Sequence, residues 1–492
     1  MQSVSQPGGH PKKWTVLAIA ALSVFMATLD SSIVNIALPD ISKEMHVSIS
    51  SVQWVVTSYL LAISLLLLFW GKLSDLYGKK LIFSSGFLVF AFGSLMCALS
   101  HALPFLVLAR VVQAVGASAM MSLSQGIVTA VFPPQERGRS LGLIGMMVAL
   151  GSLTGPSLGG VLVQLFRWQS IFIINIPIGV VGGLLSFLFI PEIFETQEDK
   201  RFDLKGFALF SLSLLFLFLG LLFVQEGALP LWALAPSVAL FAASFAAFLL
   251  LEKRCAVPLI NLRLFRVHEF SGGLATAYLS FITINAVLLF MPFYLQTYRG
   301  FSALTAGLII MAYPLMTGLC SPLSGWLSDR IGYRPLTVAG MAVSTTALLL
   351  LSTLGARTPV WEVVALLMLM SLGVATFQSP NNSSVMGSVS RRDLGIAGGV
   401  NALARNLGMV SGTTFSVLIF SLVTRVSIDA ASNGGAEKGV FLHGFTAVML
   451  FSAAAAFSAF LLSVGRAALP LRRPRGGNGP APAEQLTAPD EN

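Results

Sequence analysis

Asp30 and Arg110 are charges of opposite sign set inside long apolar runs. A charge near the middle of a membrane helix costs on the order of 2.5–3.5 kcal/mol by insertion scales, so a residue placed there needs a use. The chemistry open to such an aspartate is the uptake and release of a proton: burial favours its protonated form and a neighbouring guanidinium its ionised form. At 1.5 Å per residue Asp30 stands roughly 24 Å along its helix from Trp14, and Arg110 enters its own run from the other side, roughly 9 Å past Pro104. The two are expected at similar depth and close enough to interact, with Gln113 one helical turn from Arg110. Proton coupling by Asp30, Arg110 and Gln113, from a site facing a water-filled cavity, is the functional expectation. A static ion pair that fastens two helices is the alternative.

Those runs dominate the chain. Of its 492 residues 55% are hydrophobic and 10% charged, against about 25% charged in soluble proteins. A bilayer core of about 30 Å takes roughly 20 helical residues per crossing. On that measure there are fourteen spans, near 14–38, 50–70, 81–100, 104–131, 140–165, 170–190, 206–225, 231–251, 271–295, 303–325, 336–355, 361–387, 395–424 and 440–465. Lys12 and Lys13 precede a run too long for a cleaved leader and without a small-residue cleavage site, so it reads as a retained first helix. Of the 30 Lys and Arg, 22 fall at the termini or in the loops on their side, six fall in the other loops, and Arg110 and Arg405 lie within spans. That bias places both termini in the cytoplasm and accounts for the net charge of +9 without a nucleic-acid partner. The segment from 467 on is rich in Pro and Gly and carries no recurring apolar face, so it is expected to be disordered.

The segment Gly71-Lys72-Leu73-Ser74-Asp75-Leu76-Tyr77-Gly78-Lys79-Lys80 recurs as Gly325-Trp326-Leu327-Ser328-Asp329-Arg330-Ile331-Gly332-Tyr333-Arg334. Each copy reads as a short cytoplasmic loop, the first after span 2 and the second after span 10. An offset of eight spans fits two six-helix halves separated by two extra helices, and in transporters built from repeats the substrate site lies where the halves meet. Gly78 and Gly332 fit a tight turn that needs positive φ.

The repeated loop resembles the G-x-L-x-D-x-x-G-[RK] signature of the major facilitator superfamily. Three more segments are similar to motifs of its fourteen-helix drug:proton antiporter family: Leu29-Asp30-Ser31-Ser32-Ile33-Val34-Asn35-Ile36-Ala37-Leu38-Pro39 on span 1, Arg110-Val111-Val112-Gln113-Ala114-Val115-Gly116 on span 4, and Gly151 to Gly160 on span 5. Ser32 and Ala114 depart from the family pattern by conservative changes. The resemblance implies an all-α polytopic membrane protein with the major facilitator fold. Two six-helix bundles (14–190 and 271–466) would flank two extra helices (within 191–270), between a cytoplasmic segment (1–13) and the tail (467–492). It also implies that Gly71, Asp75, Gly78 and Lys79, with Gly325, Asp329, Arg330, Gly332 and Arg334, close the cytoplasmic side through charge pairs and helix-end contacts. Gly151, Gly155, Pro156, Gly159 and Gly160 would form the antiporter motif, a hinge or seal, with plain helix packing as the alternative.

Asn35, Gln378, Asn381, Asn382 and Arg405 are polar residues in spans and candidates to line the substrate pathway, while Gln53, Trp54 and Tyr59 read as an aromatic belt at the outer interface. No G-x-x-x-x-G-K-[ST] loop is present, so ATP hydrolysis is not expected and transport would be secondary. Neither metal, cofactor nor catalytic residues are expected, and the three cysteines carry no ligand spacing. The expected activity is proton-coupled efflux of small lipophilic, often cationic, compounds across the cytoplasmic membrane, with a periplasmic adaptor as a partner if the host has two membranes. A dedicated exporter or flippase of a lipid, amino acid or other metabolite is the nearest alternative, and a non-transporting membrane receptor the one from another class.

Overall fold

The computed structural model of the chain describes residues 10–192, 202–225, 234–255, 257–425 and 438–468. Parts of the linkers around the extra helices lie outside the described residues, and so does the expected tail beyond Ala468; its first two residues, Ala467 and Ala468, are helical instead, as the last turn of the final helix. Among the described residues, fourteen helical spans are long and apolar enough to cross a membrane. The main helix of each is α1 (Lys13–Glu44), α2 (Trp54–Tyr77), α3 (Lys79–Ala98), α4 (Leu103–Val131), α5 (Arg137–Leu165), α6 (Asn175–Phe189, in a span that begins at Ser170), α7 (Leu204–Gln225), α8 (Leu234–Arg254), α9 (His268–Phe293), α10 (Ala312–Ile331, in a span that begins at Leu304), α11 (Tyr333–Leu351), α12 (Val360–Gly387), α13 (Leu394–Thr424) and α14 (Lys438–Ala468). Helices satisfy every backbone donor within the segment, as lipid requires, and among the described residues there is no strand.

Most helices run past the apolar stretches that announce them. In α1 the polar turn Asp40–Lys43 stays helical beyond Pro39, because a proline removes one backbone donor without forcing the chain after it out of the helix. The same extension corrects the expected loops at the repeat. Gly71–Tyr77 forms the last two turns of α2, and Gly325–Ile331 those of α10. Only Gly78 and Gly332 leave the helix, at φ 96° and 86°. Even their amides still bond the carbonyls of Ser74 and Ser328, at 3.0 and 2.9 Å. One residue of left-handed backbone therefore turns each helix pair.

The helices α1–α6 pack as one half and α9–α14 as the other. The halves meet along two seams, α5 against α10 and α2 with α4 against α13. Lys13 at the start of α1 pairs with Glu136 before α5 at 2.7 Å, and Arg334 at the start of α11 donates to the Ala467 carbonyl at 3.1 Å. Both described chain ends thus lie on one face, which also carries Lys79, Lys80, Arg137 and Arg139 and is called the basic face below. The extra pair sits at one seam: α7 rests on α2 through Phe207 against Phe69 and on α13 through Thr414 and the Leu221 carbonyl, and α8 packs on α7.

Candidate functional site

Small residues set the geometry of the buried charges. At Gly93 an added Cβ would run into the Gln113 backbone, and at Gly116 into Phe90, so α3 and α4 touch backbone to backbone. That contact carries Arg110 and Gln113 to the axis of the half. Arg110 Nη1 lies 2.6 Å from Asp30 Oδ2 and also donates to Gln113 Oε1, while Arg110 Nε donates to the Val55 carbonyl at 3.1 Å. Gln113 Nε2 donates to Asp30 Oδ1 at 2.9 Å and to Ser94 Oγ at 2.8 Å. Asn175 Nδ2 donates to the same Asp30 oxygen at 2.9 Å.

The sequence-derived trio is therefore one hydrogen-bonded cluster, and the structure adds three members. Ser94 and Asn175 complete the shell, and the Tyr59 ring lies under the guanidinium, 3.9 Å from Arg110 Cζ. Tyr59 is fully buried, which corrects its assignment to an interface belt: it lies on the α2 face turned to α4, not the face turned to lipid. The expected aqueous face of Asp30 is also absent, for Asp30, Arg110 and Gln113 are all 0% exposed. All three donors to Asp30 end on its two carboxyl oxygens. The carboxylate joins α1, α4 and α6 at one point.

The antiporter-motif glycines divide by contact. An added Cβ at Gly151 would meet the Phe25 carbonyl at 3.0 Å, one at Gly155 the Ser32 side chain, and one at Gly159 Ile33 Cγ1 at 2.7 Å. These three seat α5 on α1, and Ser32 Oγ donates to the Gly151 carbonyl at 3.1 Å. Gly160 has no neighbour within 4 Å of that position and plays no part in the contact. Pro156 lies in the helix between them, and its side chain is outside the described residues.

At the basic face each repeated aspartate grips the other half. Asp75 accepts from the amides of Gly395 and Ile396, both at 2.9 Å, at the second and third residues of α13. Asp329 accepts from the amides of Gly138 and Arg139, at 2.7 and 2.8 Å, at the second and third residues of α5. A carboxylate on the exposed donors at a helix start gains both hydrogen bonds and the favourable end of the helix dipole. Close approach is possible because Gly71 lies on Gly395 and Gly325 on Gly138, backbone to backbone.

The charge pairs expected beside them differ between copies. Lys79 Nζ bonds Asp75 Oδ1 at 2.7 Å, one turn away. The corresponding position in the second copy is Tyr333, so Asp329 has no such partner. Arg330 and Arg334 do not pair with Asp329 as expected. Arg330 stacks on Trp326 at 3.9 Å, and Arg334 lies 3.6 Å from Glu269 within its own half.

The candidate pathway residues separate too. Asn35 is exposed on the outer part of α1, and Gln378 and Arg405 are partly exposed. Asn382 accepts from Asn401 Nδ2 at 3.0 Å, and the same nitrogen reaches Gln125 Oε1 of α4 at 2.7 Å. This three-residue bridge between the halves contains two residues, Gln125 and Asn401, that the sequence did not single out. Asn381 lines no open surface: it is 1% exposed and bonds Arg466 Nη1 at 2.8 Å and the Gly273 carbonyl at 2.9 Å inside the second half. Next to Asn382 in sequence, it points about 100° away around α12.

Two halves clasped on one face, with a charged cluster held deep in one of them, are the equipment of a polytopic membrane transporter. The sequence profile of the Major Facilitator Superfamily matches residues 20–283 and 273–489. The chain belongs to that superfamily. It is 35% identical over 410 residues to the riboflavin transporter RibZ of Clostridioides difficile (strain 630), covering 83% of this chain and 89% of that one. It is 33% identical over 406 residues to the multidrug resistance protein Stp of Mycobacterium tuberculosis (strain CDC 1551 / Oshkosh), covering 82% and 74%. Its fold resembles that of the human organic anion transporter MFSD10, with a TM-score of 0.65 at 17% identity over 92% of this chain and 100% of that one.

Proposed function

We propose that the protein is a proton-coupled secondary exporter of small, largely hydrophobic compounds, working by alternating access across the cytoplasmic membrane with its basic face inside. The observation that carries this is the carboxylate of Asp30, deep in a span and held by Arg110, Gln113 and Asn175 from two other helices. Protonation removes the charge that those donors satisfy and loosens α1 from α4 and α6. The same event acts on the seal between α1 and α5, since the motif glycines seat α5 on the residues flanking Asp30. Release of the seal couples the proton to the halves, because α5 is also the helix whose start Asp329 grips. The 33% identity to a multidrug resistance protein agrees with an exporter.

The test is substrate-induced proton release from detergent-purified protein, wild type beside Asp30→Asn, over a panel of lipophilic cations, anions and neutral compounds. Release that vanishes in the variant while binding persists supports Asp30 as the coupling acid. Equal release from both leaves Asp30–Arg110 as a structural pair.

A second reading, dedicated transport of one metabolite, is favoured by the 35% identity to a protein named as a riboflavin transporter. Competition of riboflavin against the panel distinguishes the two. Binding of riboflavin that no member of the panel displaces favours the dedicated carrier.

A further inference from the structure

The deep charges described above are satisfied where they stand: Arg110 by Asp30, Lys79 by Asp75, and Arg466 by Asn381 and Ser384. Arg405 is different. It lies within α13, about 16 Å along the axis from Leu394, partly exposed, and among the described residues it makes no hydrogen bond, ion pair or ring contact. An unpaired arginine at that depth is costly unless something brings it a partner.

Its surroundings say where that partner enters. One turn toward the basic face, Asn401 bridges to Asn382 of α12 and Gln125 of α4. One turn the other way is Met409, 37% exposed, whose carbonyl is held by Asn285 of α9. Arg405 therefore stands directly above the polar bridge that joins the halves, on the side away from the basic face. Gln378 is one turn above Asn382 on α12, and Met121 one turn above Gln125 on α4, so a cation, an amide and a thioether come to one level from three helices and both halves. Gln378 and Met121 are partly exposed as well. Asp30, by contrast, is sealed at 0% exposure and offers nothing to a cation.

We propose that Arg405 is the charge-selecting residue of the cargo site and that the preferred cargo is an amphipathic organic anion. Its acidic group is taken by the guanidinium, in the two-pronged geometry that arginine offers a carboxylate, and its apolar body lies toward the exposed Met409 one turn above. The proposal rests on the export reading and specifies its substrate class. It also changes the energetics: one anion exported for one proton imported moves two charges across the membrane, whereas a monovalent cation exchanged for one proton moves none. An inside-negative membrane potential therefore drives the anion directly.

Binding to the purified full chain is measured with two dyes that share the xanthene ring, fluorescein as anion and rhodamine 123 as cation. Wild type, Arg405→Gln and Arg405→Lys are compared, with thermal unfolding as the check on folding. The expected result is a wild-type preference for fluorescein of at least about tenfold, ~1.4 kcal/mol, lost in Arg405→Gln and partly kept in Arg405→Lys. A wild type that prefers rhodamine 123 or neither dye, or a preference that survives Arg405→Gln, overturns the proposal. Proton release in the same samples separates the two readings. Anion preference without proton release sinks the coupling role of Asp30 and leaves this inference; proton release with cation preference does the reverse.

Discussion

Asp75 of α2 and Asp329 of α10 cap helices of each other's halves: the first holds the start of α13 at Gly395 and Ile396, the second the start of α5 at Gly138 and Arg139. Neither half can leave the basic face without breaking four such bonds, and none of the four depends on the identity of the partner's side chain. The clasp is as strong as two carboxylates on helix starts make it. It is also symmetric in placement yet not in charge, since Lys79 supports only the first.

Loss of either carboxylate should open the basic face. Asp75→Asn and Asp329→Asn each remove a charge from a helix start, worth up to about 2 kcal/mol in partly buried geometry. Spin labels on Tyr77→Cys and Arg392→Cys, with the three native cysteines replaced, should show a longer-distance population in either variant. Unchanged distance distributions in both would show that the clasp does not set the closed state.

Breaking the buried pair from one side should harm more than removing it whole. Arg110→Gln leaves Asp30 charged and buried without its cation, a loss of about 3–5 kcal/mol. Adding Asp30→Asn should restore much of that, read as the unfolding temperature in detergent. A double variant no more stable than Arg110→Gln would argue that the cluster is held by its neutral hydrogen bonds.

The motif glycines should not be equivalent. Gly155→Ala puts a methyl group into Ser32 and should cost about 1–3 kcal/mol through overpacking, with transport reduced in step. Gly160→Ala meets nothing within 4 Å and should change stability by less than about 0.5 kcal/mol. Equal effects on transport would mean that Gly160 acts in a conformation where it does make contact.

Asn381 provides the control for the pathway. Asn381→Ala strips Arg466 of an acceptor and should lower stability by about 1–3 kcal/mol, while substrate affinity stays at the wild-type value. A large loss of affinity at unchanged unfolding temperature would return Asn381 to the substrate path.

The sequence made the Asp30 cluster legible because a charge in an apolar run is conspicuous and its depth follows from the helical rise. Ser94, Asn175 and Tyr59 were not, since a serine, an asparagine or a tyrosine is tolerated in a span and nothing in one helix says which neighbour it faces. Asn175 left one faint signal, as the lone amide in Ile171–Leu188. The repeat revealed Asp75 and Asp329 but not what they hold, because backbone amides have no residue type. Fourteen helices could be counted from hydropathy and charge, and the helix ends could not, because polar turns continue a helix beyond the apolar core.

The seat of the extra pair has a consequence for traffic in the plane of the bilayer. Two seams run between the halves, and α7 with α8 stands in front of the one between α2 and α13. The other, between α5 and α10, has no such screen among the described residues, and Leu315, Leu319 and Leu323 of α10 remain bare along it. A hydrophobic molecule arriving through the lipid rather than the water meets a covered seam on one side and a bare one on the other. The molecule thus has a front and a back within the membrane.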